Sequence, residues 1–243
     1  MIKMLATICR KPGMTRQEFF RHVKDVHGGL TIANPITVRR YVQNHVLDSA
    51  YGADKDNSYT HIDNRDLVTE LYFDDIESMM QTFSSEYVRD VIKPDGPKFS
   101  DLATSIAMLT RELDDGTDGS FNSEGLTKVM YFLKKPQSIS FDQYADRWHA
   151  AHDAVLRSNT MLSDTLRRSM RSLRMPEGDS IAEYFDGKGM PKFEGVASLW
   201  FSGPNPHDAF REYQRALEAQ ETGTHFFERS ESFFLIVKEV LIM

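Results

Sequence analysis

Two short runs of the chain carry side chains suited to moving protons beside an apolar ligand. The first is Arg39-Arg40-Tyr41-Val42-Gln43-Asn44-His45; the second is Val68-Thr69-Glu70-Leu71-Tyr72. Both have the character of strands, in which successive side chains point to opposite faces. If Val38, Val42 and Val46 form the helix-facing set, Tyr41, Gln43 and His45 face the opposite way. If Leu67, Leu71 and Phe73 form the apolar set of the second run, Val68, Glu70 and Tyr72 oppose them. The pattern predicts two strands delivering polar groups to one interior. His45 and Glu70 would be acid and base there, while Tyr41 and Gln43 orient a substrate. Burial would raise the Glu70 pKa toward the range of a general base. The competing reading makes Glu70 a buried acid paired with Lys3 or Arg40. Tyr72 and Trp200 would line the cavity, as substrate contacts or as aromatic filling.

These strands belong to an ordered series. Lys3 to Arg10 reads as a strand, broken by Pro12-Gly13. Thr15 and Glu18 have the spacing of a capping box, and Phe19, Phe20, Val23 and Val26 form the buried stripe of the helix that follows. Gly28-Gly29 is expected to stop that helix just after His27. A histidine there can close the helix against its C-terminal partial charge, or assist Glu70 from the cavity edge. Strands over 36–47 and 67–73 follow, separated by the polar loop Asp48–Asn64, a candidate cover for a site. Next come a helix capped by Asp74 or Asp75, a breaker cluster at Pro94-Asp95-Gly96-Pro97, and a strand over 102–112. His22 reads as a solvated residue.

The order then repeats. Lys135-Pro136, Ser140, Tyr144, Trp148 and His152 echo Lys11-Pro12, Thr15, Phe19, Val23 and His27. Arg167-Arg168-Ser169-Met170-Arg171-Ser172-Leu173 aligns with the first polar run, so Tyr41 meets Ser169, Gln43 meets Arg171 and His45 meets Leu173. Glu70 falls opposite Ser198, and Tyr72 opposite Trp200. The fold class expected is α+β. Two fused ferredoxin-like β-α-β-β-α-β repeats, at 1–113 and 126–243 with a Gly- and Ser-containing linker at 114–125, close into one barrel with helices outside. The polar groups lost from the second copy fit a single asymmetric site, or else simple drift.

Composition narrows the classes. The 243 residues are 40% hydrophobic and 27% charged with a net charge of −7, and no basic run is long enough to follow phosphates, which argues against nucleic acid. No apolar stretch approaches the roughly 18 residues of a membrane span. The single cysteine, Cys9, lies in a strand and reads as a core residue; one cysteine fits a reducing, cytoplasmic setting. His149 and His152 stand three apart on a helix, but no acid or cysteine nearby completes a zinc pattern. No phosphate loop or nucleophile elbow is present, and the methionines sit at core spacings, so neither a metal, haem nor another cofactor is called for.

Lys11-Pro12-Gly13-Met14-Thr15, Glu18-Phe19, His27-Gly28, the run 39–45 and Val68 to Asp75 together resemble the EthD family, within the dimeric α+β barrel group. The resemblance covers most of the first half, while the second keeps only landmarks. It implies the fold more than a reaction, since relatives in that group include cofactor-free monooxygenases, polyketide cyclases, dehydratases and lactone isomerases, with haem proteins further away. Three functions follow. The first is a cofactor-independent enzyme that dehydrates, eliminates or isomerises an aromatic or polyketide-like molecule. The alternatives are a cofactor-free monooxygenase and a carrier for a hydrophobic metabolite. A barrel complete within one chain makes a homodimer optional.

Overall fold

The computed structural model describes residues 1–53, 64–114, 121–182, 189–221 and 225–243. Eight strands, β1 (Ile2–Arg10), β2 (Arg40–Tyr51), β3 (Leu67–Phe73), β4 (Ser100–Asp114), β5 (Thr127–Leu133), β6 (Leu166–Arg174), β7 (Gly195–Phe201) and β8 (Phe233–Leu241), form one closed barrel. Its order is β1-β3-β2-β8-β5-β7-β6-β4, with every neighbour antiparallel. Within the first half the order is β4-β1-β3-β2; within the second it is β8-β5-β7-β6. The β2–β8 and β4–β6 pairings close the ring and leave no strand edge open. Registers repeat as well: Lys3 pairs with Tyr72 and Arg40 with Tyr72, as Lys128 pairs with Trp200 and Arg168 with Trp200.

Among the described residues the α-helices are α1 (Arg16–Arg21), α2 (Gly28–Ala33), α3 (Ile76–Phe83), α4 (Gly96–Phe99), α5 (Phe141–Ser158), α6 (Thr160–Thr165), α7 (Asp179–Ala182) and α8 (Pro206–Ala219), and Val88–Ile92 winds as a π-helix. The Thr15–Glu18 capping box forms at α1, and Ser140 with Gln143 makes a second one at α5. The expected stop at Gly28-Gly29 does not occur. His22–His27 winds as a π-helix and passes directly into α2, so one continuous rod runs from Arg16 to Ala33. Glycine weakens a helix by about 1 kcal/mol but does not forbid it. Gly28 lies close to the sheet: a Cβ there would come within 3.2 Å of Ile242 and 3.5 Å of Gln43. His27 therefore sits within a helical run rather than at its end.

Three packed regions result. Leu5, Val46, Val68, Met108, Met130, Phe132 and Leu235 fill the barrel interior. Ile2, Met4, Val38, Tyr41, Phe73 and Met79 lie between the sheet and the first-half helices, and Tyr131, Tyr144, Trp148, Phe210 and Tyr213 do so in the second half. The second-half layer is packed so closely that Trp148 lies against the backbone of Gly195, where an added Cβ would meet its ring at 2.3 Å.

The expected facing of β2 is reversed. Val46 belongs to the interior, and Val42 pairs with the inward Glu70, whereas Tyr41, Gln43 and His45 point to the helices. Val38 misled the alternation because it precedes the strand, which begins at Arg40. All residues from Tyr41 to Val46 are buried, so polarity does not distinguish the faces. The expected facing of β3, with Glu70 and Tyr72 inward, holds.

Candidate functional site

A cavity of about 290 Å³ opens between the outer face of the first-half sheet and the helices above it. Its floor is Met4, Ala6, Tyr41 and Leu71 from the strands; Val23 and His27 come from the π-helix, and Phe83, Val88 and Phe99 complete the walls. The surface is mostly hydrocarbon, with few polar groups converging on it, the usual character of a small-molecule site. His27 and Tyr41 are the two groups there with acid-base chemistry, besides Lys93 at the edge.

The π-helix explains how His27 is held. With i→i+5 bonding, His22 and His27 fall on one face of the rod. Both meet Asp95: His22 Nε2 lies 3.1 Å from each carboxylate oxygen, and His27 Nδ1 lies 3.1 Å from Oδ2. Asp95 is buried, with Lys98 Nζ at 3.3 Å. Burial would raise its pKa, but the bonds from His22 and His27 bring it below the usual carboxylate value. Burial lowers the pKa of His27, against the raising influence of Asp95, so a neutral imidazole is favoured. A neutral ring donating through Nδ1 keeps Nε2 as a base, and among the described residues no group bonds that nitrogen.

Tyr41 is held by a second device. Gln43 Nε2 donates to the Val23 carbonyl at 2.7 Å and to the Tyr41 hydroxyl oxygen at 2.8 Å. The Gln43 carbonyl oxygen lies 3.1 Å from His45 Nε2. His45 stacks on Phe20, with ring centres 4.2 Å apart. Burial, with Lys238 and Lys24 nearby, depresses its pKa to about 4, which keeps it neutral. Burial pushes the Tyr41 phenol up to about 12, so it remains protonated.

Glu70 and Tyr72 lie on the other side of the sheet, inside the barrel, so the expected convergence of Glu70 with His45 is not found. Lys128 Nζ stands 2.9 Å from Glu70 Oε1, and Lys3 Nζ stands 3.6 Å from Oε2. Tyr72 donates to Glu70 at 2.8 Å, and Asn44 to Oε1 at 3.1 Å. Burial alone would raise the Glu70 pKa, but Lys128 and Lys3 hold it far below the usual carboxylate range. A carboxylate so stabilised is a weak base, and the ion-paired alternative is the arrangement found. Trp200 is also interior, with Lys128 Nζ 4.7 Å from its ring centre.

The second half has no equivalent site chemistry at the matching positions. His152 is fully buried, with Nδ1 2.7 Å from the Tyr213 hydroxyl and Nε2 2.8 Å from Ser169 Oγ. Trp148 occupies the position of Val23. His149 is half exposed, near Asp153, and does not join His152 at a ligand. Among the described residues no group of three or more His, Cys, Asp or Glu is arranged to hold a metal ion. The Asp48–Asn64 loop lies largely outside the described residues; its first residues continue β2 to Tyr51.

The sequence reading missed Asp95 and misplaced His22. Asp95 was hidden in a turn-like Pro-Asp-Gly-Pro cluster. The five-residue spacing of His22 and His27 puts both rings on one face only once the segment winds as a π-helix, which the sequence does not announce.

Residues 11–103 match the EthD domain. Among curated proteins none matches the chain in sequence. Solved structures share the fold along nearly the whole chain. An anthrone oxidase-like protein is 10% identical with a TM-score of 0.54, over 99% of this chain and 93% of its own. A protein of Lactobacillus acidophilus assigned as a monooxygenase is 9% identical with a TM-score of 0.51, over 99% and 94%. A chlorite dismutase of Candidatus Nitrospira defluvii is 10% identical with a TM-score of 0.51, over 98% and 90%. No helix among the described residues is long and apolar enough to cross a membrane.

Proposed function

We propose that this chain, which carries an EthD domain over residues 11–103 on a closed α+β barrel, is an oxidoreductase of small apolar aromatic molecules, a monooxygenase needing no cofactor. The observation that carries the reading is His27, fixed at Nδ1 by buried Asp95 at the wall of an apolar cavity. His27 Nε2 takes a proton from a ring-activated C–H or phenolic O–H. Tyr41 donates to the oxygen on which negative charge collects. The electron-rich anion then reacts with dioxygen. For a methylene between two aromatic rings, one dioxygen oxidises the carbon to a ketone. One of its oxygen atoms becomes the carbonyl oxygen, and the other leaves as water with the two methylene hydrogens. Fold likeness to an anthrone oxidase-like protein and to a protein assigned as a monooxygenase favours oxidation over dehydration, which would begin with the same proton abstraction.

The same reading makes residues 1–113 and 126–243 two copies of one β-α-β-β-α-β unit joined through 114–125. The matching strand orders and registers support it. The cavity described above lies in the first copy, and aromatic side chains pack the corresponding layer of the second.

The test is oxygen uptake by the purified protein with anthrone and hydroxylated naphthalenes. Removing the base by His27→Ala should lower the rate by about 10²- to 10⁴-fold. Glu70→Gln should leave the chemistry in place. Product formed without oxygen uptake would replace oxidation by elimination, and tight binding without turnover would make the protein a carrier. An unchanged rate in His27→Ala would overturn the assignment of the base.

A further inference from the structure

The hydrogen bonds around Tyr41 set whether it offers the ligand a proton or a lone pair. The Val23 carbonyl can only accept, which fixes the Gln43 amide with Nε2 toward it at 2.7 Å. Gln43 Oε1 then faces His45 Nε2 at 3.1 Å, which sets that nitrogen as the N–H of a neutral ring. The second N–H of Gln43 is aimed at the Tyr41 oxygen at 2.8 Å. The tyrosine oxygen thus accepts on its inner side. Gln43 is its only hydrogen-bond partner among the described residues, and Tyr41 lines the cavity, so the phenolic proton is left for a cavity ligand.

The matching position of the second half shows how near this lies to the histidine. Ser169 stands where Tyr41 does, and His152 where His27 does, and those two bond directly at 2.8 Å. Tyr41, longer and drawn toward Gln43, lines the same cavity as His27, and among the described residues no hydrogen bond joins the two.

We infer that Tyr41 is a wired donor that makes the cavity selective for aromatic ligands presenting a lone acceptor oxygen, a carbonyl or a phenolate, with Gln43 and His45 as the positioning residues that set its direction. The inference rests on the cavity being the reacting site proposed above, and it names the substrate class of that site. The oxygen meets Tyr41, and the acidic carbon or hydroxyl beside it meets His27. Ligands whose polar group only donates, such as aromatic ammonium ions, find no acceptor at Tyr41.

Two probes of similar shape test it: 1-tetralone, whose carbonyl only accepts, and tetralin, which lacks the oxygen. Calorimetry should show 1-tetralone bound about three- to tenfold more tightly, the range of one neutral hydrogen bond. The infrared carbonyl stretch of bound 1-tetralone should fall relative to hydrocarbon solvent, a signature that a purely structural role would not produce. Tyr41→Phe should abolish both the preference and the shift while tetralin affinity holds. Gln43→Glu should do the same, because a carboxylate accepts the Tyr41 proton and turns it from the cavity. If that variant fails to fold, Gln43→Met serves, since it removes the N–H that holds the Tyr41 oxygen and leaves the hydroxyl without a fixed direction. No preference for 1-tetralone, or a preference and shift surviving in Tyr41→Phe or in a folded Gln43 variant, would overturn the inference. Absent oxygen uptake with the carbonyl preference intact would instead overturn the reaction and leave the wiring standing.

Discussion

Substitution Lys128→Met decides whether Glu70 is structure or chemistry. Glu70 belongs to β3 and Lys128 to β5, with β2 and β8 between them, so their 2.9 Å contact reaches across the barrel interior and ties the halves together. Both side chains are almost wholly buried. Burial disfavours the charge on Lys128, but Glu70 and Glu239 hold its pKa above the ordinary value. Removing it leaves Glu70 with Lys3 at 3.6 Å as its remaining cation. Breaking a buried pair from one side costs about 3–5 kcal/mol, because the surviving charge stays desolvated. In a chain of this length that lowers the melting temperature by about 6–20 °C. Adding Glu70→Gln should restore most of the loss, giving a strong coupling in a double-mutant cycle. The sign of the pH dependence follows from the depressed Glu70 pKa. In the native protein its contribution is full above the ordinary carboxylate pKa and disappears as pH falls through the folded value. Without Lys128 burial raises that pKa, so the variant's deficit should shrink on acidification. Urea denaturation at several pH values provides the measurement. The double variant should also bind 1-tetralone normally, since the cavity lies on the opposite face of the sheet. A penalty under about 1 kcal/mol at neutral pH, or a double variant with intact fold but no binding, would refute the reasoning.

Other perturbations have equally definite outcomes. The acid limb of the pH–rate profile should lie below the ordinary histidine pKa, because burial lowers that of His27; Asp95→Asn should lower the rate and move the limb to still lower pH, since Asp95 raises that pKa. A limb that rises or stays put would contradict the pairing. Ala6→Phe should fill the cavity floor and weaken binding of 1-tetralone at least tenfold while leaving the circular dichroism unchanged. Gly195→Ala should destabilise by about 1–3 kcal/mol in thermal melts, as its Cβ would lie 2.3 Å from the Trp148 ring. His45 stays neutral in the fold down to about pH 4, so its contribution is complete above its ordinary pKa and is lost as pH falls toward 4. His45→Phe should therefore flatten the acid side of the stability curve in that window.

Local rules sufficed for much of the architecture. Thr15 with Glu18 announced a helix start, and strand alternation placed Glu70 and Tyr72 inward. These are near-neighbour effects, carried by hydrogen bonds and side-chain periods within a few residues, so the sequence determined them alone. The resemblance around Lys11 to His27 and residues 39–45 likewise matched the EthD domain now found over 11–103. The site was a different matter. Both faces of β2 are buried, one by the barrel and one by the helices, so polarity could not tell where Tyr41, Gln43 and His45 point. Only closure of the eight strands decided that. The π-helix that aligns His22 with His27 depends on Asp95, 68 residues beyond His27, and on Gln43 meeting the Val23 carbonyl. Such long-range bonds compensate for an unusual helical geometry that local propensity would not choose. The sequence supplied the chemical groups; tertiary packing decided which of them share a cavity, separating His27 and Tyr41 from Glu70 by the thickness of a sheet.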